Sequence, residues 1–306
     1  MTEFPAGYTL RELTEADAHA AAELLNAAGE VDGSPRALTA ADVDEVLRLL
    51  TARVVEGPEG ELAGYFDIFI EPERGFLDTA VHPNARGRGV GTAMLQAAES
   101  LARKRLEHDD GALLRSAIAG KNEGGRKLHE AQGYSYVRSF FRMEAELDSR
   151  PDEPEWPEGL AVRQFQPGDE RLLYDCLRDA FLDHWEGDRQ LPFERWSKFE
   201  FDEITFRPAA TFIVFDHDEP TAGVLSAHRF GMGWIGSLGV RRAWRKQGLG
   251  LGLLRRAFGV LYDEGERKVG LGVDAENTTG ATRLYERAGM HVAARFDTFQ
   301  KQVTER

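Results

Sequence analysis

The pattern Arg-x-x-Gly-x-Gly occurs twice in the chain, as Arg86-Gly87-Arg88-Gly89-Val90-Gly91 and as Arg245-Lys246-Gln247-Gly248-Leu249-Gly250. Each copy follows an apolar run ending in valine, Val81 or Val240, and opens an amphipathic stretch. A strand that breaks into a glycine-rich turn and then a helix leaves N–H groups unpaired at the helix start, where the dipole also favours negative charge. Missing Cβ atoms let an anion approach that backbone. The duplication predicts two phosphate cradles, one in each of two similar halves.

The similarity extends beyond the turns. Leu10, Arg11 and Asp17 align with Val162, Arg163 and Asp169 at an offset of 152, the turns align at 159, and Leu128, His129 and Gly133 align with Leu284, Tyr285 and Gly289 at 156. Drifting offsets mean loop insertions between equivalent elements. Such a period is far too long for a solenoid, so it predicts domain duplication, with domains at 1–149 and 159–306. Residues 150–158, rich in proline and acid, read as a stiff exposed linker.

Periodicity fills in the elements. In the second half, helices are expected over 170–183 and 193–206, and strands over 211–215, 222–228 and 234–240. Leu254, Ala257, Phe258 and Leu261 recur at helical spacing after the turn, giving an amphipathic helix. A strand over 268–274, a helix over 280–288 and extended structure over 290–303 follow. The first half runs parallel: helix 17–28, strands near 53–56, 64–70 and 76–81, helix 89–105, strand 113–118, helix 123–132 and strands over 134–147. Each half is expected to be an α/β sandwich built on a mixed sheet.

Bulk properties narrow the function. The 306 residues carry 52 acids against 38 bases, a formal net charge of −14. An acidic surface repels nucleic acid and anionic membrane, and mildly favours a cationic acceptor such as an amine. The lone Cys176 excludes an internal disulfide and a cysteine-cluster metal site, and its helical setting predicts a buried core residue. No signal-peptide pattern and no run approaching about 18 apolar residues is present, so a cytoplasmic protein without a metal or a membrane span is expected.

The turn is not a dinucleotide fingerprint, which needs Gly-x-Gly-x-x-Gly after the first strand of its domain, and it lacks the Gly-Lys-Ser/Thr of a nucleotide P-loop. With its leading arginine, its preceding strand, and a downstream strand, asparagine and helix, it resembles motif A of the GNAT acetyltransferase superfamily. The resemblance covers nearly the whole chain, once per half, and is nearest to the tandem GNAT group that includes mycothiol synthase. It implies two tandem acyl-CoA N-acyltransferase domains, with acetyl-CoA as co-substrate and coenzyme A pyrophosphate held by the turn amides.

The same resemblance assigns roles. Leu238, Gly239 and Val240 would lie beside the thioester, with a backbone N–H polarising its carbonyl. Tyr285, eight residues beyond Asn277, would hydrogen-bond the departing sulfur, and Asn277 would bond the pantetheine arm, although a helix cap would also suit it. At the Tyr285 place the first half carries His129, a departure that predicts coenzyme binding through Val81 and 86–91 without full catalytic equipment. A glutamate is expected early on the strand before the second cradle, but 232–237 contains no carboxylate. The candidates for general base are then Asp183, His184, Glu186, Asp274 and Glu276, with His184 preferred because its ordinary pKa is nearest neutrality. Trp185, Phe193 and Trp196 could line an acceptor pocket or pack in the core.

Acetylation of a small-molecule amine is the leading expectation for function. Acetylation of protein lysines or N-termini, and a non-catalytic acyl-CoA sensor, are the alternatives. Either a monomer or a homodimer is compatible with these residues.

Overall fold

The computed structural model describes residues 3–71, 74–105, 113–187, 190–277 and 279–303. In the first half the elements run β1 (Thr9–Glu12), α1 (Ala18–Val31), α2 (Ala40–Leu49), β2 (Thr51–Glu56), β3 (Leu62–Ile70) and β4 (Arg74–Val81). They continue with α3 (Val90–Arg103), β5 (Leu113–Ala119), α4 (Glu123–Ala131) and β6 (Ser135–Glu146). The second half opens with β7 (Leu160–Gln164), α5 (Glu170–Ala180), α6 (Phe193–Glu200), β8 (Phe212–Asp216), β9 (Glu219–Arg229) and β10 (Met232–Val240). It closes with α7 (Leu249–Asp263), β11 (Lys268–Asp274), α8 (Ala281–Arg287) and β12 (His291–Gln302).

Two compact units result, and their borders are not those of the repeat. Unit 1 takes the chain up to Phe140 together with the segment from Ala294 onward, and unit 2 takes Phe141–Ala293. The expected division placed all of 159–306 in one domain. What draws the last strand into unit 1 is pairing and burial: Phe296–Gln302 of β12 pair antiparallel with β5, and Phe299 is fully buried in the unit 1 core. Without that partner β5 would expose an unpaired edge. Repetition identifies equivalent segments; it does not say which copy of a strand closes which sheet.

In unit 1 the strands lie in the order β1-β2-β3-β4-β5-β12, antiparallel except for the parallel pair β4–β5. Leu24, Leu25 and Val43 from α1 and α2 pack with Val54 and Tyr65, while Met94, Leu95 and Ala98 of α3 pack with Val55, Phe66, Leu114 and Phe299. Neighbours Val54 and Val55 enter different clusters because successive strand residues point to opposite faces. Unit 2 repeats the plan in the order β6-β11-β10-β9-β8-β7, with β10–β11 as its parallel pair. There α5 contributes Leu173 and Leu177 to one cluster. The predicted stripe Leu254, Ala257, Phe258 and Leu261 of α7 is buried in the other.

Periodicity missed β1, β7 and α2. The two strands are only four and five residues long and partly exposed, so they carry little apolar pattern. Their signal is polar instead. Arg11 forks onto Asp17 at 2.7 and 2.8 Å, and Arg163 forks onto Asp169 at 2.7 and 2.9 Å, which ties each opening strand to the start of the following helix. These bonds hold Asp17 and Asp169 below the usual carboxylate range. The start of α2 is marked by Thr39, whose N–H and hydroxyl both donate to Asp42 at 2.8 Å, a Ser/Thr-x-x-acid signature legible in the chain. Helices α5 and α6 end at Ala180 and Glu200, short of their expected limits, which puts Asp183 and His184 in the turn beyond α5.

Because Phe299 sits near the end of the chain yet inside unit 1, Phe299→Ala is expected to cost about 3–5 kcal/mol there. Hydrogen exchange should speed up at Leu95 and Leu114 and leave Leu254 protected. Loss of protection at Leu254 alone would contradict the assignment of β12.

Candidate functional site

Each glycine turn is fixed by the arginine that opens it. Arg86 Nε donates to the Val81 carbonyl at 3.2 Å and Arg245 Nε to the Val240 carbonyl at 3.0 Å. The rest of each guanidinium reaches the segment after the first helix of its half. Arg86 grips Asp32 at 2.8 and 3.0 Å, and Arg245 bonds Asp183 at 2.7 Å and the Ala180 carbonyl at 3.0 Å. Both side chains are thereby committed to the fold, so they shape the turn.

That backbone is poised for an anion. Gly89 and Gly248 cap their helices at φ of +84° and +88°, and Gly87 and Lys246 lie at +74° and +65°. Nothing lies within 4 Å of a Cβ built on Gly248, so backbone conformation alone demands glycine there. Gly91 and Gly250 answer a different need: a Cβ would lie 2.9 Å from Leu128 and 3.1 Å from Leu284, so their absence lets α4 and α8 pack close. The first backbone-bonded amides are Ala93, to the Gly89 carbonyl, and Gly252, to the Gly248 carbonyl. Among the described residues no acceptor engages the amides of Gly89, Val90, Gly91, Gly248, Leu249 or Gly250. Lys246 and Gln247 are exposed beside the second cradle, and Arg88, exposed beside the first, donates to the Tyr8 hydroxyl at 3.2 Å.

The strands leading into the cradles differ. Parallel pairing with the next strand covers Arg74–Leu77 of β4 and Gly233–Ile235 of β10, so both strands part from that neighbour before reaching the turn. Only β10 is bulged: Ile235 opposes Ser226 and Ser237 opposes Leu225, leaving Gly236 as an extra residue. In β4 the register with β3 runs unbroken from Gly75 to Val81. A bulge turns a backbone N–H out of the ladder, which is what a carbonyl awaiting polarisation requires. Leu238, two residues on, keeps its pairing with Val224 and packs beside the α7 cluster.

Downstream groups diverge further. Tyr285 is buried in that same cluster, burial pushes its hydroxyl up to about 12, and the hydroxyl bonds no described residue. His129, its counterpart, has both ring nitrogens engaged, Nδ1 with the Gly125 carbonyl at 2.8 Å and Nε2 with Ser116 Oγ at 3.0 Å. It is a core residue whose pKa burial lowers. Asn277 accepts from the Thr279 N–H and hydroxyl at 2.8 and 2.6 Å, a local turn; the cap of α8 is Gly280. In unit 1 Asn122 caps α4 and its amide donates to Asp32 at 3.0 Å, tying the β5–α4 loop to the Arg86 clamp.

The expected bases are placed as follows. Asp183 is bound by Arg242 and Arg245, which hold its carboxyl below the usual range and leave it a poor proton acceptor. His184 stacks edge-on to Phe181 at 4.6 Å, and burial with the nearby Arg245 charge lowers its pKa, keeping the imidazole neutral. Phe193 and Trp196 join Tyr174 in an aromatic cluster. Cys176 is buried and its thiol pushed up to about 12. Sequence reasoning missed Glu200. This carboxylate at the end of α6 is 13% exposed, lies 3.3 Å from Arg229, and is raised above the usual range by burial against the opposing Arg229 charge. Nothing in a Trp-Ser-Lys-Phe-Glu stretch distinguishes it from a solvated helix acid.

Comparison with known proteins bears on this geometry. A sequence model of the acetyltransferase (GNAT) family matches residues 21–134 and again 172–290. A mycothiol acetyltransferase from Saccharopolyspora erythraea is 31% identical over 256 residues, covering 80% of this chain and 82% of that one. One from Kineococcus radiotolerans is 32% identical over 308 residues, covering 96% and 97%. Among solved structures, a GCN5-related N-acetyltransferase from Sphaerobacter thermophilus is similar with a TM-score of 0.85 and 35% identity, over 99% of this chain and 98% of that one. A tandem GNAT protein from the clavulanic acid biosynthesis pathway shares the fold, with a TM-score of 0.72 at 16% identity over 98% and 99%.

Since Gly248 has space but not the conformation for a side chain, Gly248→Ala should destabilise the protein by about 1–2 kcal/mol. A urea midpoint unchanged by the substitution would remove the left-handed constraint from the account.

Proposed function

The chain belongs to the acetyltransferase (GNAT) family, and on that premise we propose that it transfers acetyl from acetyl-CoA to the primary amine of a small molecule, with unit 2 as the working half. One observation carries the choice of half: unit 2 alone combines an open cradle, a bulged strand and a tyrosine hydroxyl that the described fold does not use. The cradle fits the donor because the amides of Gly248, Leu249 and Gly250 have no acceptor and exposed Lys246 stands beside them. Unit 1 keeps a comparable cradle. Its loop is tied back by Asn122 and Asp32, and its histidine is locked, so its role is support.

In the reaction the amine nitrogen attacks the thioester carbonyl, the C–N bond forms, and the C–S bond breaks with the electron pair leaving on sulfur. An N–H turned out at Gly236 or Ser237 would bond the carbonyl oxygen as it gains charge, and such donors are worth about 10²–10³ in rate. Leu238 and Val240 hold that strand against α7, and Asn277, its side-chain oxygen held by Thr279, would offer its amide to the arm of the donor. Tyr285 supports the sulfur. Moving a proton fully from a hydroxyl at about 12 to a thiolate of about 8.5 is uphill by roughly 5 kcal/mol. Its role is therefore a hydrogen bond that strengthens as the thiolate forms, with the final proton drawn from water.

The resemblance to mycothiol acetyltransferases makes des-acetyl mycothiol the first acceptor to try, beside glucosamine and a lysine peptide. Coenzyme A release measured by chromatography should be found with a small amine and not with the peptide. Tyr285→Phe should lower kcat about 10- to 100-fold, the worth of one hydrogen bond to a charged group, with acetyl-CoA affinity unchanged. Equal turnover by the variant would remove Tyr285 from the mechanism, and turnover of the peptide alone would replace the acceptor class.

A further inference from the structure

Glu200 reaches the bulge of β10 from a separate helix. It is the last residue of α6, where the partial negative charge of a helix end disfavours a carboxylate. Its Oε2 lies 3.2 Å from the point where a Cβ on Gly236 would stand, so the carboxylate fills the space that the bulge residue leaves by lacking a side chain. Strand β10 carries no acid of its own. The helix delivers one to its bulge, and Gly236 makes room for it.

The surroundings hold this group without consuming it. Arg229 on β9 is the charged residue that acts on Glu200 among the described residues. Its guanidinium is oriented by other contacts, donating to the Phe199 carbonyl at 2.8 Å and lying 4.8 Å from the centre of the Phe199 ring. Its Nη1 donates to Glu200 Oε2 at 3.3 Å, a bond longer than the roughly 2.7–2.9 Å of a full charge-assisted one. Burial outweighs Arg229 and raises the carboxyl above its ordinary range, which makes the carboxylate a stronger proton acceptor than a free one. His184, by contrast, has Arg245, Asp183 and Asp274 as its charged neighbours, two of them in the clamp at the cradle end of β10.

We propose that Glu200 is the general base that takes the proton from the attacking amine, positioned by α6 over the Gly236 bulge. This rests on the acetyltransferase reading of unit 2. The acceptor enters as an ammonium attracted to the carboxylate and gives it one proton, the freed amine attacks, and the nitrogen loses its second proton to water as the C–S bond breaks. Glu200 releases its proton to water and the thiolate takes one from water, so one net proton leaves for each acetyl transferred. His184 is left packed against Phe181 beside the clamp.

The test is the pH profile of kcat/KM with acetyl-CoA and des-acetyl mycothiol or glucosamine, whichever the wild type turns over. The wild-type rate should rise through the raised carboxyl pKa and then level off. Glu200→Gln should be slower by about 10²-fold or more at pH 7, its rate climbing steadily toward the pKa of the amine. Glu200→Asp should keep the acid limb with a smaller loss, and both should bind acetyl-CoA within twofold of wild type. A Gln variant within threefold of wild type with the same limb would overturn the role, as would loss of acetyl-CoA binding in both variants, which marks a structural residue. A wild type that binds no acetyl-CoA and releases no coenzyme A with either amine would overturn the acetyltransferase reading itself.

Discussion

The arginine clamp is the contact on which each half depends. One guanidinium joins the last carbonyl of a strand, the segment after the first helix and the turn that opens the next helix, as Arg245 does with Val240, Ala180 and Asp183. Three elements that would otherwise move separately are fixed to one planar group. Arginine suits this because its rigid fork satisfies a carbonyl and a carboxylate at once, which a lysine cannot do. Removing the acid would leave a partly buried cation unpaired and free the strand end. In the turn that the clamp fixes, the amides of the helix start have no acceptor among the described residues.

The repeat supplies two such frames, and under the proposed function their differences assign them separate work. Unit 2 has the bulge at Gly236, the unbonded Tyr285 hydroxyl and a local turn at Asn277. Unit 1 has an unbroken β3–β4 ladder, a histidine bonded at both nitrogens, and an asparagine that ties its loop to the clamp through Asp32. Each unit 1 feature satisfies a polar group internally, which favours stability. In unit 2 the Tyr285 hydroxyl, buried in the core, has no partner among the described residues.

Much of this was legible in the chain. The two turns, the α7 stripe and the Tyr285–His129 contrast follow from spacing alone, because glycine at a helix start and apolar residues at helical period have local causes. What escaped were matters of partnership. The Arg11–Asp17 and Arg163–Asp169 forks define strands too short and exposed to show a pattern. The return of Phe299 to the first unit depends on which edge needs closing, a property of the assembled sheet. Glu200 reads as an ordinary helix acid until the fold sets it against a glycine 36 residues later in the chain (236 − 200). The motif arginines are conspicuous in the chain, and the structure shows what their guanidinium groups hold.

The account stands on the claim that one cradle works and the other supports. Calorimetric titration with acetyl-CoA tests it most directly when run on the wild type, Gly248→Val and Gly89→Val. The expected result is one equivalent bound by the wild type, lost in Gly248→Val and retained in Gly89→Val. Two equivalents of equal affinity, or a single equivalent lost only in Gly89→Val, would contradict it.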